Sequence, residues 1–142
     1  MADDTTPAPG FQIVFDCRDP DSLATFWAEA LGYQKQWTWD PETVREMQAQ
    51  GLRDDQVNQR CAVIDPEGRR PRLFFQRVPE PKSVKNRVHL DLHVGHDRAE
   101  REAQRLEILG ARRLRVQQDQ FGPFQDFAIV MQDPEGNEFC VA

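Results

Sequence analysis

The sequence predicts an α+β domain built from two strand–helix–three-strand modules. Three observations carry this prediction. The chain repeats its own pattern: each half reads as a strand, a helix ending in Leu-Gly, two strands, a turn and a last strand. Ala30-Leu31-Gly32 in the first half matches Ile108-Leu109-Gly110 in the second. The turn Asp65-Pro66-Glu67-Gly68, preceded by an apolar strand, recurs as Asp133-Pro134-Glu135-Gly136 in the equivalent place. One such turn is a weak signal, but two at matching positions are much stronger. At 142 residues the chain has the length of one domain.

The first module spans 11–78. Phe11 to Cys17 is rich in β-branched and aromatic residues and reads as a strand. Asp19-Pro20 then offers an N-cap and a proline at the first helical position. Leu23, Phe26, Trp27 and Ala30 follow at helical spacing, and Gly32 sits where a terminating glycine belongs. Tyr33 to Trp39 reads as a second strand. Asp40-Pro41 repeats the helix start, with Val44 and Met47 giving a weak stripe up to Gly51, so a short exposed helix is expected there. Gln59 to Asp65 and Arg72 to Val78 are strands joined by the first Asp-Pro-Glu-Gly turn, whose residues suit type I.

Residues 79–87 form a linker, and the second module spans 88–142. Val88 to Val94 alternates strictly between apolar and polar residues and reads as a strand. Asp97 is expected to cap the next helix, with Glu100 completing a capping box. Ala99, Ala103, Leu106 and Leu109 form its apolar stripe before Gly110. Ala111 to Gln117, Phe124 to Asp133 and Asn137 to Ala142 complete the strands. Met1 to Gly10, acidic and proline-containing, reads as a loose tail with no signal-peptide character.

Composition excludes several functions. No apolar run approaches the ~20 residues of a membrane helix. Lys and Arg number 18 and Asp and Glu 24, giving a net charge of −6, which disfavours general nucleic-acid binding. The three cysteines, Cys17, Cys61 and Cys140, are odd in number and lack CxxC spacing, against a disulfide framework or a structural zinc knuckle. A cytoplasmic location follows as the expectation.

The repeated module, Phe26-Trp27 with Ala30-Leu31-Gly32, and the closing Asp133-Pro134-Glu135-Gly136-Asn137-Glu138-Phe139 resemble the vicinal-oxygen-chelate superfamily. That superfamily includes glyoxalase I, bleomycin-resistance proteins and extradiol dioxygenases. Lys82 to Leu92 is most similar to its glyoxalase-like domain proteins. The resemblance covers Phe11 to Ala142. It implies one curved mixed sheet around a cup, a small-molecule ligand and a homodimer. It also places divalent-metal ligands on the first, fourth, fifth and last strands, which fall at Gln12, Gln76, His89 and Cys140. The fifth-strand position is usually a His, as His89 is here. The last commonly carries Glu, and here it carries Cys140.

Strand alternation supplies further candidates. Val88, Leu90, Leu92 and Val94 should pack on the helices, leaving His89, Asp91 and His93 on the other face. Three ionisable groups on one strand face point to a wet cavity. His89 and Asp91 are the catalytic candidates; Gln12, Trp37, Trp39, Gln76, His93 and Cys140 are the ligand-binding candidates. Residues two apart on a strand lie about 7 Å apart at their backbones, which works against His89, Asp91 and His93 sharing one ion. Trp37 and Trp39 would either stack on a flat ligand or pack at the sheet edge. Three functions are open at this stage. One is a small-molecule cup, either a binder or a metal-free lyase- or isomerase-like enzyme. The second is a metal-dependent glyoxalase-type enzyme using His89 and Gln12. The third is a drug-sequestering dimer.

Overall fold

The computed structural model describes residues 6–142. Of the expected tail, Met1–Thr5 lie outside the described residues, and residues 6–10 are exposed with no helix or strand. The predicted repeat is present. Two four-stranded sheets are each backed by a helix. The first sheet has β1 (Ile13–Cys17), β2 (Gln34–Lys35), β3 (Arg60–Ile64) and β4 (Leu73–Arg77), in the order β1-β4-β3-β2. The second has β5 (Asp91–Leu92), β6 (Arg112–Phe121), β7 (Phe124–Gln132) and β8 (Glu138–Val141), in the order β5-β8-β7-β6. In each module the first strand pairs in parallel with the last. The single curved sheet that was expected is therefore two sheets: β1 and β5 are both edge strands, with no ladder between them.

The helices start and stop largely where the sequence asks. α1 (Pro20–Leu31) is capped by the Asp19 carboxylate, which accepts the Ser22 amide at 3.2 Å, and closes at Gly32 with a left-handed φ of 70°. Its buried face carries Leu23, Ala24, Phe26 and Trp27. α2 (Pro41–Ala49) is the expected exposed insertion and buries no residue. Asp40 caps it, and hydrogen bonds from the Thr38 hydroxyl and the Thr43 amide pull its carboxyl down to about 2. α3 (His96–Leu109) buries Ala99, Ala103 and Leu106. Arg105 ties it to the end of α1, donating to the carbonyls of Glu29 and Ala30 at 3.2 and 2.8 Å.

Four local readings need correction. The helix expected to be capped by Asp97 starts earlier, after Gly95, and no side chain caps it. The C-terminal carbonyl of Ala142 accepts both the Val94 and Gly95 amides, and Gly95 turns there with φ 93°, which brings the helix start forward. Glu100 instead pairs with Arg113 at 2.8 Å. The strand read over Val88–Val94 is regular only at Asp91–Leu92, because the ladder with β8 begins at Leu90. Val88 is 83% exposed rather than packed on a helix. The strand read over Tyr33–Trp39 shrinks to Gln34–Lys35. The hairpin β6–β7 is longer than its apolar pattern suggests. Its polar residues Gln117–Gln120 stay paired with β7, and the turn closes at Gly122, with φ 58°.

The core lies between the helices and one face of each sheet. Phe15, Phe26 and Phe139 surround Trp27 with ring centroids 5.1–5.5 Å away. The Trp27 indole N–H donates to Asp133 at 3.0 Å, across the two modules. No helix among the described residues is long and apolar enough to cross a membrane.

Candidate functional site

The helix-free face of each sheet follows from register. In the first module it carries Gln12, Val14 and Asp16 on and before β1, with Phe74 and Gln76 on β4. In the second it carries Asp91 and the adjacent His89 and His93, with Cys140 on β8 and Arg115 on β6. Between the two modules lies a cavity of about 580 Å³. β1, the linker and His89 line it, with Glu135 and Glu138 at its second-module side.

Glu138 and Asn137 hold the linker against this cavity, Asn137 accepting the Asn86 side-chain amide at 3.4 Å. Glu138 accepts the Asn86 amide at 2.9 Å and pairs with Lys82 at 3.2 Å. Those contacts hold its carboxyl below the ordinary value although burial pushes the other way. The cavity's rim is stapled by Glu135, whose carboxylate accepts the Arg18 and Asp19 amides at 2.7 and 3.0 Å. Those amides lead into α1, so the second turn closes the start of the first module's helix. Nothing in the sequence distinguishes Glu135 from Glu67, which stands at the same place in the first turn.

The structure brings together His89, Asp91 and Cys140. The His89 Nδ1 lies 3.1 Å from an Asp91 carboxylate oxygen. One donor atom from each of the three lies within 4.8 Å of the others. Asp91 and Cys140 are register partners on parallel strands, and His89 precedes Asp91 by two residues on the same face. Side-chain reach closes the roughly 7 Å backbone spacing between His89 and Asp91 to 3.1 Å, whereas His93 does not join them. Burial raises the Cys140 thiol, and the charge and hydrogen bond of Asp91 raise it further. Arg115 and Lys85 oppose this with less effect. Cys140 is thus a protonated thiol at neutral pH rather than a ready nucleophile.

The other candidates fall elsewhere. His93 is exposed and lies outside the trio. Gln12 accepts from Arg72 at 2.8 Å. Gln76 donates to Asp16 at 2.8 Å. Trp37 and Trp39 meet edge to face at 6.4 Å and pack against the core, and Trp39 donates to the Arg60 carbonyl. The Trp37 indole nitrogen is buried without a hydrogen-bond partner among the described residues. Both rings thus pack at the edge of the first sheet.

Paired modules of this connectivity, each with a helix-free face, are consistent with the vicinal-oxygen-chelate superfamily that the sequence resembles. The chain belongs to the glyoxalase-like domain family, whose family model matches residues 12–142. Among solved structures it is similar to the fosfomycin resistance protein FosX from Mesorhizobium loti, at 11% identity and TM-score 0.63, covering 96% of this chain and 91% of that one. A mutant FosX from Listeria monocytogenes, complexed with Mn(II) and 1S,2S-dihydroxypropylphosphonic acid, gives 8% identity and TM-score 0.67, covering 96% and 92%. A possible glyoxalase from Bacillus cereus gives 15% identity and TM-score 0.59, covering 95% and 98%. At these identities the likeness shows the fold. No curated protein matches the sequence significantly.

The fold class implies a divalent ion held jointly by the two modules. The residues here do not fit it. Gln12 is held by Arg72, Gln76 is held by Asp16, and the last strand offers a thiol in place of a carboxylate. Two neutral amides with a thiol and an imidazole neither balance a divalent charge nor agree in hardness. No step is derived through that ion.

Proposed function

We propose that the chain binds a small molecule at the cavity between its modules and that His89 and Asp91 move a proton on it, as in a lyase or isomerase. The observation that carries this is the 3.1 Å contact between the Nδ1 of His89, a residue that lines the cavity, and the carboxylate of Asp91 beside it. With Nδ1–H donating to Asp91, the Nε2 lone pair is free to accept a proton, and the carboxylate steadies the imidazolium that forms. Both side chains remain 41–47% exposed, so a ligand can reach them. The class of ligand that suits this pair carries an acidic C–H beside a carbonyl. Three free thiols support a reducing, cytoplasmic setting. A homodimer suits the exposed apolar residues Val116, Phe121 and Phe124 of the β6–β7 hairpin.

The test uses chelator-treated protein and a panel of α-hydroxycarbonyl compounds. Thermal shift reads binding, and proton NMR in D2O reads exchange of the C–H. Light scattering on the same sample reads the mass. The expected result is a compound whose C–H exchanges with wild type, with the rate falling about 100-fold or more in His89→Ala. Exchange that is unchanged in His89→Ala and Asp91→Asn overturns the proposal.

A further inference from the structure

Two separate devices of the chain bring positive charge to the His89–Asp91 pair. The first is a β-bulge. Arg113 faces Met131 across the β6–β7 ladder, but the next pair is Arg115 with Val130, so Leu114 is an extra residue. Regular alternation would set Arg115 on the same face as Arg113, whose guanidinium pairs with Glu100 and Glu107 of α3. The bulge turns Arg115 to the helix-free face instead, and bulges recur beside binding sites because they re-aim a side chain in this way. Register then runs in one row from Arg115 through Val130 and Cys140 to Asp91. The second device is the linker. Lys85 lines the cavity together with His89, on the stretch that Glu138 pins through Lys82 and the Asn86 amide.

We propose that Arg115 and Lys85 bind the anionic group of the ligand, a carboxylate or phosphate, so that the substrate is a small carbonyl compound carrying a negative charge rather than a neutral one. This names the substrate class of the function proposed above and rests on that reading for the cavity as the ligand site. Neither side chain makes a hydrogen bond or an ion pair among the described residues. Each instead acts through its charge on the Cys140 thiol, so the two reach one neighbourhood from different elements. Lys82, by contrast, is already neutralised by Glu138. Asp91 does not neutralise Arg115 or Lys85, because its carboxylate is held by His89. In a chain of net charge −6, two unpaired cations beside one thiol make a local site for an anion. Val130 lies between Arg115 and Cys140 and is 4% exposed on a face that no helix covers, so neighbouring side chains lie over it. With the anionic group held there, the C–H beside the carbonyl loses its proton to His89 Nε2. The C–H pair becomes the enolate double bond, and the carbonyl π pair moves to oxygen. The same cations oppose the negative charge that this oxygen gains. The reverse step returns a proton from the imidazolium to carbon.

The experiment titrates the full chain by calorimetry with two matched pairs of probes. One pair is 2-oxobutyrate and its uncharged counterpart 1-hydroxy-2-butanone. The other is dihydroxyacetone phosphate and dihydroxyacetone. In at least one pair the charged member should bind about tenfold or more tightly than the neutral one, and the pair that shows it tells carboxylate from phosphate. Added salt should weaken the charged member alone. Arg115→Gln and Lys85→Gln should each lower its affinity about tenfold and leave the neutral member unchanged. Both side chains are exposed, so the variants keep the fold, which circular dichroism verifies. Arg45→Gln removes an exposed cation from α2, away from the cavity, and should change neither member. Equal binding within both pairs, no binding of either charged member, or charged-member affinity unmoved in Arg115→Gln and Lys85→Gln overturns the proposal. Exchange of the C–H in D2O is scored separately. Charge-dependent binding without exchange keeps the anion site and fails the proton transfer. Exchange confined to the neutral members keeps the proton transfer and fails the anion site.

Discussion

Replacing Trp27 with alanine is expected to remove most of the stability of the fold. Trp27 is 1% exposed and sits at the join of the two modules. Three aromatic rings pack around it, from β1, from α1 itself and from β8. Truncating a buried Trp to Ala costs about 3–5 kcal/mol through lost transfer energy and the cavity left behind. The indole N–H also leaves Asp133 short of one donor, adding about 1 kcal/mol at the low end of such losses because three other donors remain. A domain of this size is stable by only about 5–15 kcal/mol in all. Urea unfolding should therefore show a midpoint lowered by more than half, or no folded baseline. Trp27→Phe keeps most of the packing and removes the hydrogen bond, so it should lose about 1–2 kcal/mol. Equal losses in the two variants would show that the aromatic cluster contributes little and that the bond to Asp133 carries the whole effect.

The residues that make this join were visible in the sequence as core, but their partnership was not. Helical spacing alone marks Leu23, Phe26, Trp27 and Ala30 as a buried face, and the structure buries them all. The repeat fixed the pairing pattern because a duplicated module repeats its ladders. What spacing could not reveal was contact between halves. Trp27 and Asp133 are 106 residues apart, and no local rule connects them. The same limit applies at the candidate site. Alternation correctly placed His89, Asp91 and His93 on one face, yet treated them as equivalent. Only the register of β5 on β8 shows that Cys140 stands beside Asp91. His93 is left outside. Gln76 lies on β4 and Gln12 just before β1, and their polar ends are taken by Asp16 and Arg72 from their own module. Whether a polar side chain is available depends on its neighbours across the sheet, which strand parity does not report.

The two modules have diverged in what their matching parts do. The helix-free face of the first is closed on itself by paired side chains, and the Arg72 guanidinium lies 5.1 Å from the Phe74 ring. In the second, the equivalent position to Phe74 is Cys140 and that to Val14 is Asp91, as the parallel registers show. An apolar pair in one module is thus a thiol and a carboxylate in the other. Burying such groups without function is costly, and here they remain partly open to solvent. On the proposed function, the proton-moving pair therefore lies in the second module, while β1 of the first lines the cavity.

The same divergence separates the two Asp-Pro-Glu-Gly turns, and it predicts that equivalent substitutions will differ sharply. Asp65 accepts the amides of Glu67, Arg69 and Arg70 at the surface, where water replaces any bond it loses. Asp65→Ala should barely move the unfolding midpoint. Asp133 is 3% exposed and accepts four donors: the amides of Glu135 and Asn137, the Asn137 side-chain amide and the Trp27 indole. Asp133→Ala leaves all four unpaired in or near the core. Relief of the buried charge offsets part of this, but breaking such a network by removing one partner costs about 3–5 kcal/mol. The pH dependence gives an independent check. Burial raises the Asp133 carboxyl above its ordinary value, and the four hydrogen bonds only partly oppose it. Folding therefore favours its protonated form. This group's stability contribution is fullest below the unfolded value of 3.8 and is lost as pH rises through the raised folded value. Asp133→Asn lacks that slope while Asp65→Asn keeps it, so urea midpoints measured from pH 3 upward should diverge between the two variants. Parallel curves for both would mean that the carboxylate is held by its hydrogen bonds firmly enough to cancel the effect of burial, and that the join between the modules is electrostatic as well as apolar.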